Sequence, residues 1–133
     1  MNMILPSLLL GVSGLLLPFI GAAVLMNPVV FAAANGAELP KTPSALSEYR
    51  APGGMLFISA VLILFATIRV QYLRAGLALS ALVYGSYGIS RLIGIAADGL
   101  PSAALTQAMV IELFLGSLCL AVLSLSGRPN WSK

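Results

Sequence analysis

The chain has 133 residues, 59% of them hydrophobic and 8% charged, with a net charge of +3 and a mean hydropathy of +1.02. A soluble domain carries about 25% charged residues, so this chain lacks the polar surface of one, and an integral membrane protein is the class that fits. The basic residues Lys41, Arg50, Arg69, Arg74, Arg91, Arg128 and Lys133 are dispersed, which excludes a nucleic-acid footprint. The lack of histidine and the single cysteine, Cys119, exclude an internal disulfide and a dithiol centre and remove the commonest general base and metal ligand.

Four apolar segments approach or exceed the roughly 20 residues that cross a bilayer. In chain order they run about Ile4–Phe31, Gly53–Val70, Gly76–Ala97 and Ala103–Ser126. The expected fold is an all-α four-transmembrane-helix bundle in one domain, 1–133. Pro18 and Asn27-Pro28 are the points where the long first segment bends or ends. No Lys or Arg precedes it and it exceeds an ordinary signal-peptide core, so it is expected to be retained. Thr42-Pro43 has the character of an N-cap followed by the first helical residue, which predicts a short surface helix before the second span. Pro52 then biases Ala51 away from helical geometry.

Arg69, Arg74, Arg128 and Lys133 fall on one side of this arrangement, Lys41 and Arg50 on the other. Four against two places both termini in the cytoplasm and predicts a multi-pass protein of the bacterial cytoplasmic (inner) membrane. Tyr72 and Trp131 read as interface anchors on the cytoplasmic side. Small residues and a proline recur at spacings of three and four: Ser7, Gly11, Gly14, Pro18 and Gly21 on the first span, with Ala104, Ala108 and Gly116 around Glu112 on the fourth. Such faces let helix backbones approach in lipid, within one bundle or, less simply, between copies.

Two charges lie inside the third and fourth spans. A charge at bilayer depth is costly and normally finds a partner or a function. Arg91 is about 9 Å and Glu112 about 14 Å below the same end of their helices, at 1.5 Å per residue. Side chains lean toward the N-terminus of their own helix, so the two lean toward each other and predict a buried salt bridge. Tyr84, Tyr87 and Arg91 share a face with Ser80 one turn further, a polar stripe that lipid would not accept. Glu48 and Arg50, at the start of the second span, are expected to roof the pair on the outer side. The candidate polar cluster, or ligand site, is therefore Glu48, Arg50, Tyr84, Tyr87, Arg91 and Glu112, with a net charge of zero.

Glu48-Tyr49-Arg50-Ala51-Pro52-Gly53-Gly54, Gly88-Ile89-Ser90-Arg91-Leu92, Asp98-Gly99-Leu100-Pro101 and Glu112-Leu113 together resemble a bacterial four-helix membrane family, domain of unknown function 4345. Its pattern is E-x-R-x-x-G-G…G-x-x-R…D-G-x-P…E-L, and the resemblance covers nearly the whole chain. It implies a small four-span inner-membrane protein, with a more distant likeness to the DoxX-type four-helix proteins. It assigns no catalytic residues. Pro52 departs from the pattern, which has a bulkier residue there, and this puts a continuous helix from Glu48 into the second span in doubt.

Two function classes stay open on these residues. The first is an accessory, scaffold or lipid-interacting bundle, whose partners are membrane lipid, a larger membrane complex or further copies of itself. The second is a binder or transporter of a small polar or anionic molecule through an outward-facing pocket, working as an oligomer. An enzyme is disfavoured, since C-x-x-C, histidine and a dense carboxylate cluster are all missing; no cofactor, metal or nucleic acid is expected.

Overall fold

The computed structural model describes residues 4–125. Arg128, Trp131 and Lys133, used above for orientation and anchoring, lie outside the described residues. All regular structure among the described residues is helical: α1 (Ile4–Met26), α2 (Pro28–Ala34), α3 (Pro43–Ile68), α4 (Leu73–Asp98) and α5 (Ala103–Leu125), with a 3-10 turn at Val70–Tyr72 before α4. Four helices, α1, α3, α4 and α5, are long and apolar enough to cross a membrane. Their outward faces carry large apolar side chains such as Phe19, Ile58, Leu82 and Phe114. A face of that kind is stable against lipid and would drive aggregation in water, so this is a multi-pass membrane protein.

The helix limits follow from local chemistry. Pro28 cannot donate a backbone hydrogen bond, and the first helix stops at Met26 rather than at Phe31 as expected; residues 28–34 form a separate helix. The short helix closes with the Gly36 N–H on the Ala33 carbonyl and the Ala37 N–H on the Ala32 carbonyl, both at 3.0 Å. Gly36 takes φ +80° there, a conformation that glycine adopts at no steric cost. Thr42 caps α3 as its sequence predicts, its hydroxyl accepting from the Ala45 N–H at 3.3 Å.

The expected surface helix and second span are one helix. Pro52 lies inside α3, which runs unbroken from Pro43, so the predicted break at Ala51 does not occur. Pro52 removes the donor for the Glu48 carbonyl. That carbonyl belongs to an exposed residue, where water or lipid head groups can satisfy it. At 26 residues, α3 is about 39 Å long against a hydrocarbon core of about 30 Å. Its first turns therefore reach the interface.

The bundle is built from two antiparallel pairs, α1 with α3 and α4 with α5, joined mainly through α3 and α4. Glycines set the close approaches. A Cβ on Gly21 would lie 2.6 Å from the backbone nitrogen of Phe57, and one on Gly116 would lie 2.8 Å from that of Gly85. An arginine of each pair finishes its neighbour: Arg50 of α3 donates from Nε to the Leu25 carbonyl of α1 at 3.0 Å, and Arg74 of α4 donates to the Leu123 carbonyl of α5 at 3.3 Å. Both carbonyls belong to final turns, where cations complement the helix dipole.

The core is uneven along the bundle axis. The largest fully buried side chains, Leu10, Ser13, Ile63, Leu77, Ser80 and Cys119, all lie in the half nearer the α3–α4 turn. In α5 the buried residues begin only at Leu115. The other half, toward α2 and the α4–α5 connection, is loosely filled, and the charged residues Arg91 and Glu112 are found there.

Candidate functional site

Glu112 sits one helical turn before Gly116, which brings α5 against the α4 backbone at Tyr84 and Gly85. One turn beyond that contact, Gly88 receives the Leu113 side chain, which a Cβ there would meet at 2.7 Å. These two contacts hold α5 close enough for the charges to meet. Arg91 Nε donates to Glu112 Oε2 at 2.8 Å and Nη2 donates to Oε1 at 3.3 Å. The side-on, two-bond geometry is the strong form of an arginine–carboxylate interaction.

The pair is not buried as expected. Arg91 keeps 27% and Glu112 14% of its side-chain surface accessible. The reason is a cavity of about 270 Å³ beside it, in whose wall both side chains stand. Leu16, Leu17 and Ile20 of α1 face them across the space, with Tyr84 and Tyr87 of α4 and Leu105, Ala108 and Ile111 of α5 completing the sides. Phe31 of α2 and Asn35 also contribute. Leu16, Ile20 and Ile111 are themselves exposed on the outer surface. The space therefore opens sideways between α1 and α5, helices that touch each other little.

The other predicted residues separate into different roles. Tyr84 is 4% exposed, and its hydroxyl donates to the Ser13 carbonyl of α1 at 2.6 Å, tying α4 to α1. Ser13 turns its own hydroxyl back to the Leu9 carbonyl. Tyr87 is half-buried and lines the cavity. Ser80, a turn before Tyr84, is fully buried in the tight half, its hydroxyl without a hydrogen-bond partner among the described residues. Glu48 and Arg50 do not roof the pair. Glu48 is exposed, Arg50 is spent on the Leu25 carbonyl, and neither lines the cavity. They are near the same end of the bundle in sequence topology, but α3 presents them to the rim and to α1. Net neutrality survives, since among the described residues Arg91 and Glu112 are the only Arg, Lys, Asp or Glu side chains in the wall.

Sequence reasoning missed the α1, α2 and α3 walls of the cavity. Leu16, Leu17, Ile20 and Leu56 carry no signal that separates a cavity wall from ordinary packing. Asn35 had one available: a polar residue just beyond an Asn-Pro-started helix. Its side-chain amide donates to the Phe31 carbonyl at 2.8 Å, completing α2, and this fixes it at the edge of the space.

The motif residues resolve into two clamps. Arg50 and Gly53 of α3 hold the end of α1, the first by its bond to Leu25 and the second by its contact with Val24 and Gly21. Gly88 and Arg91 of α4 hold α5 through Leu113 and Glu112. Asp98-Gly99 ends α4, with Gly99 at φ +94°. No curated protein and no solved structure matches this chain. The model of the family described as a domain of unknown function (DUF4345) matches residues 6–123. Running from the first turns of α1 to the last turn of α5, that match makes the chain a member of the DUF4345 family.

Proposed function

We propose that this protein is a lipid-interacting bundle of the bacterial cytoplasmic membrane, with both termini cytoplasmic, which holds an amphiphilic molecule in the cavity between its helix pairs. The observation that carries this reading is the cavity itself: about 270 Å³, walled mostly by apolar side chains and furnished with the Arg91–Glu112 pair, Tyr87 and Asn35 among its polar groups. Apolar pockets with a few convergent polar groups are the usual form of small-molecule sites. Its volume is roughly nine waters' share of liquid, so it suits a head group and the first part of a chain. The remainder of such a chain can leave between α1 and α5 into the surrounding lipid. The bidentate closure of Arg91 on Glu112 favours a second, structural use of the same residues as a staple between α4 and α5. An accessory bundle that binds a larger complex needs that staple and no occupant.

Filling the space tests the proposal. Ala108 projects a small side chain into the wall, and Ala108→Phe should occupy the cavity. The wild type, purified in mild detergent, should retain an extractable amphiphile near one per chain by native mass spectrometry. The variant should lose it while keeping its helical content and thermal midpoint. Equal retention by both proteins would leave the structural staple as the function of the pair.

A further inference from the structure

We infer that the cavity selects an uncharged head group, an amphiphile of the monoacylglycerol kind whose polar end offers hydrogen-bond acceptors, over anionic or cationic amphiphiles of equal chain length. This rests on the cavity being a binding site, and it concerns what that site accepts.

The argument begins with charge. Among the described residues Arg91 and Glu112 are the only Arg, Lys, Asp or Glu side chains in the wall, and they are already closed on one another through two hydrogen bonds. Their sum is zero in a setting of low dielectric. An anionic head that took Arg91 for itself would strand the Glu112 carboxylate. A cationic head that took Glu112 would strand the guanidinium. Either exchange leaves an uncompensated charge away from water, and such charges are strongly disfavoured. Glu48, Lys41 and Arg50 offer no compensation, because none of them lines the space.

What remains unused is hydrogen-bonding capacity. A guanidinium has five N–H donors, and Arg91 spends Nε and one Nη2 hydrogen on Glu112. Its Nη1 donors have no partner among the described residues. The Tyr87 hydroxyl, also in the wall, is likewise unpartnered among them. Asn35 spends its amide on the Phe31 carbonyl, leaving its own oxygen as an acceptor. The site therefore presents several donors and a smaller number of acceptors, without net charge. An ester carbonyl accepts from such donors, and a free hydroxyl of a glycerol head can donate to Asn35. A phosphate that accepted from these donors would bring a net negative charge into a wall whose own charges already cancel. A quaternary ammonium has no N–H and cannot accept, so it can use none of them.

Three twelve-carbon probes distinguish the cases: monododecanoylglycerol, dodecyl phosphate and dodecyltrimethylammonium, titrated against the full chain in phosphatidylcholine nanodiscs and read by native mass spectrometry. The neutral probe should bind at least tenfold more tightly than either charged one. Glu112→Gln, which leaves the wall with one positive charge, should move the preference to dodecyl phosphate. Arg91→Gln should move it to the ammonium. The double variant is neutral again and should return to the glycerol ester. A wild type that prefers a charged probe overturns the inference, as do variants whose ranking stays fixed. Should the single variants fail to fold, the ranking by the wild type and the double variant decides. If no probe binds the wild type beyond the level seen with Ala108→Phe, the binding reading of the cavity falls, and the selectivity falls with it.

Discussion

Two hydrogen bonds between Arg91 and Glu112 hold opposite charges together where either alone would be a liability. Hydrogen bonds to charged groups contribute about 1.5–3 kcal/mol, and removing one partner of a desolvated pair also leaves the other exposed to its own solvation cost. The pair keeps some access to the cavity, which places the expected loss at the lower part of that range. Arg91→Leu and Glu112→Leu should each destabilise the protein by about 1.5–2 kcal/mol. The double Leu variant should cost clearly less than the two added together. Unfolding in mixed micelles, followed by circular dichroism, gives the three values. Additive losses would show that the two side chains do not support one another. The same residue scale shows why Arg50 behaves differently. It carries the same charge, but its position on α3 points it to a helix end, where the Leu25 carbonyl is a sufficient partner.

Between elements, packing is decided by where a Cβ fits. In α1, Gly11 and Gly21 belong to one run of small residues, yet a Cβ on Gly11 meets nothing within 4 Å while one on Gly21 falls 2.6 Å from the Phe57 nitrogen. The obstacle at Gly21 is backbone, which cannot turn aside as a long side chain can. Gly21→Ala should therefore push α1 from α3 and cost about 1–3 kcal/mol. Gly11→Ala should be neutral or stabilising by up to about 1 kcal/mol, through the helix propensity it gains. Thermal unfolding of the two variants side by side checks the contrast, and equal midpoints would refute the crossing. Helix limits obey the same local logic. Asn27-Pro28 ended the first span as its chemistry requires, whereas Pro52 failed to end α3 because the carbonyl it frees belongs to an exposed residue near the helix start.

At the scale of the whole molecule, one half is tightly filled and the other encloses the cavity, and the charge distribution predicts how the halves are oriented. The α3–α4 turn carries Arg69 and Arg74, so the tight half is expected on the cytoplasmic side and the cavity toward the outside. In a Cys119→Ala background, Ser44→Cys should react with a membrane-impermeant maleimide on spheroplasts, and Gln71→Cys only after lysis. Both positions are exposed; the reverse pattern would invert the topology. Four long apolar runs and the DUF4345 family were legible from the chain by itself, because span length, polar punctuation and motif order are local properties. The pairing of Arg91 with Glu112 was legible too, since few charges lie at that depth and the two lean toward each other. Which charges stay out of the cluster was not, because Glu48 and Arg50 take their directions from the uninterrupted α3 and the end of α1. Nor was the cavity, which depends on how far α5 stands from α1 where Ala108 faces Leu16 and Leu17. Apolar residues look alike in sequence whether they touch a neighbour or face a gap; only the distances between helices separate the two.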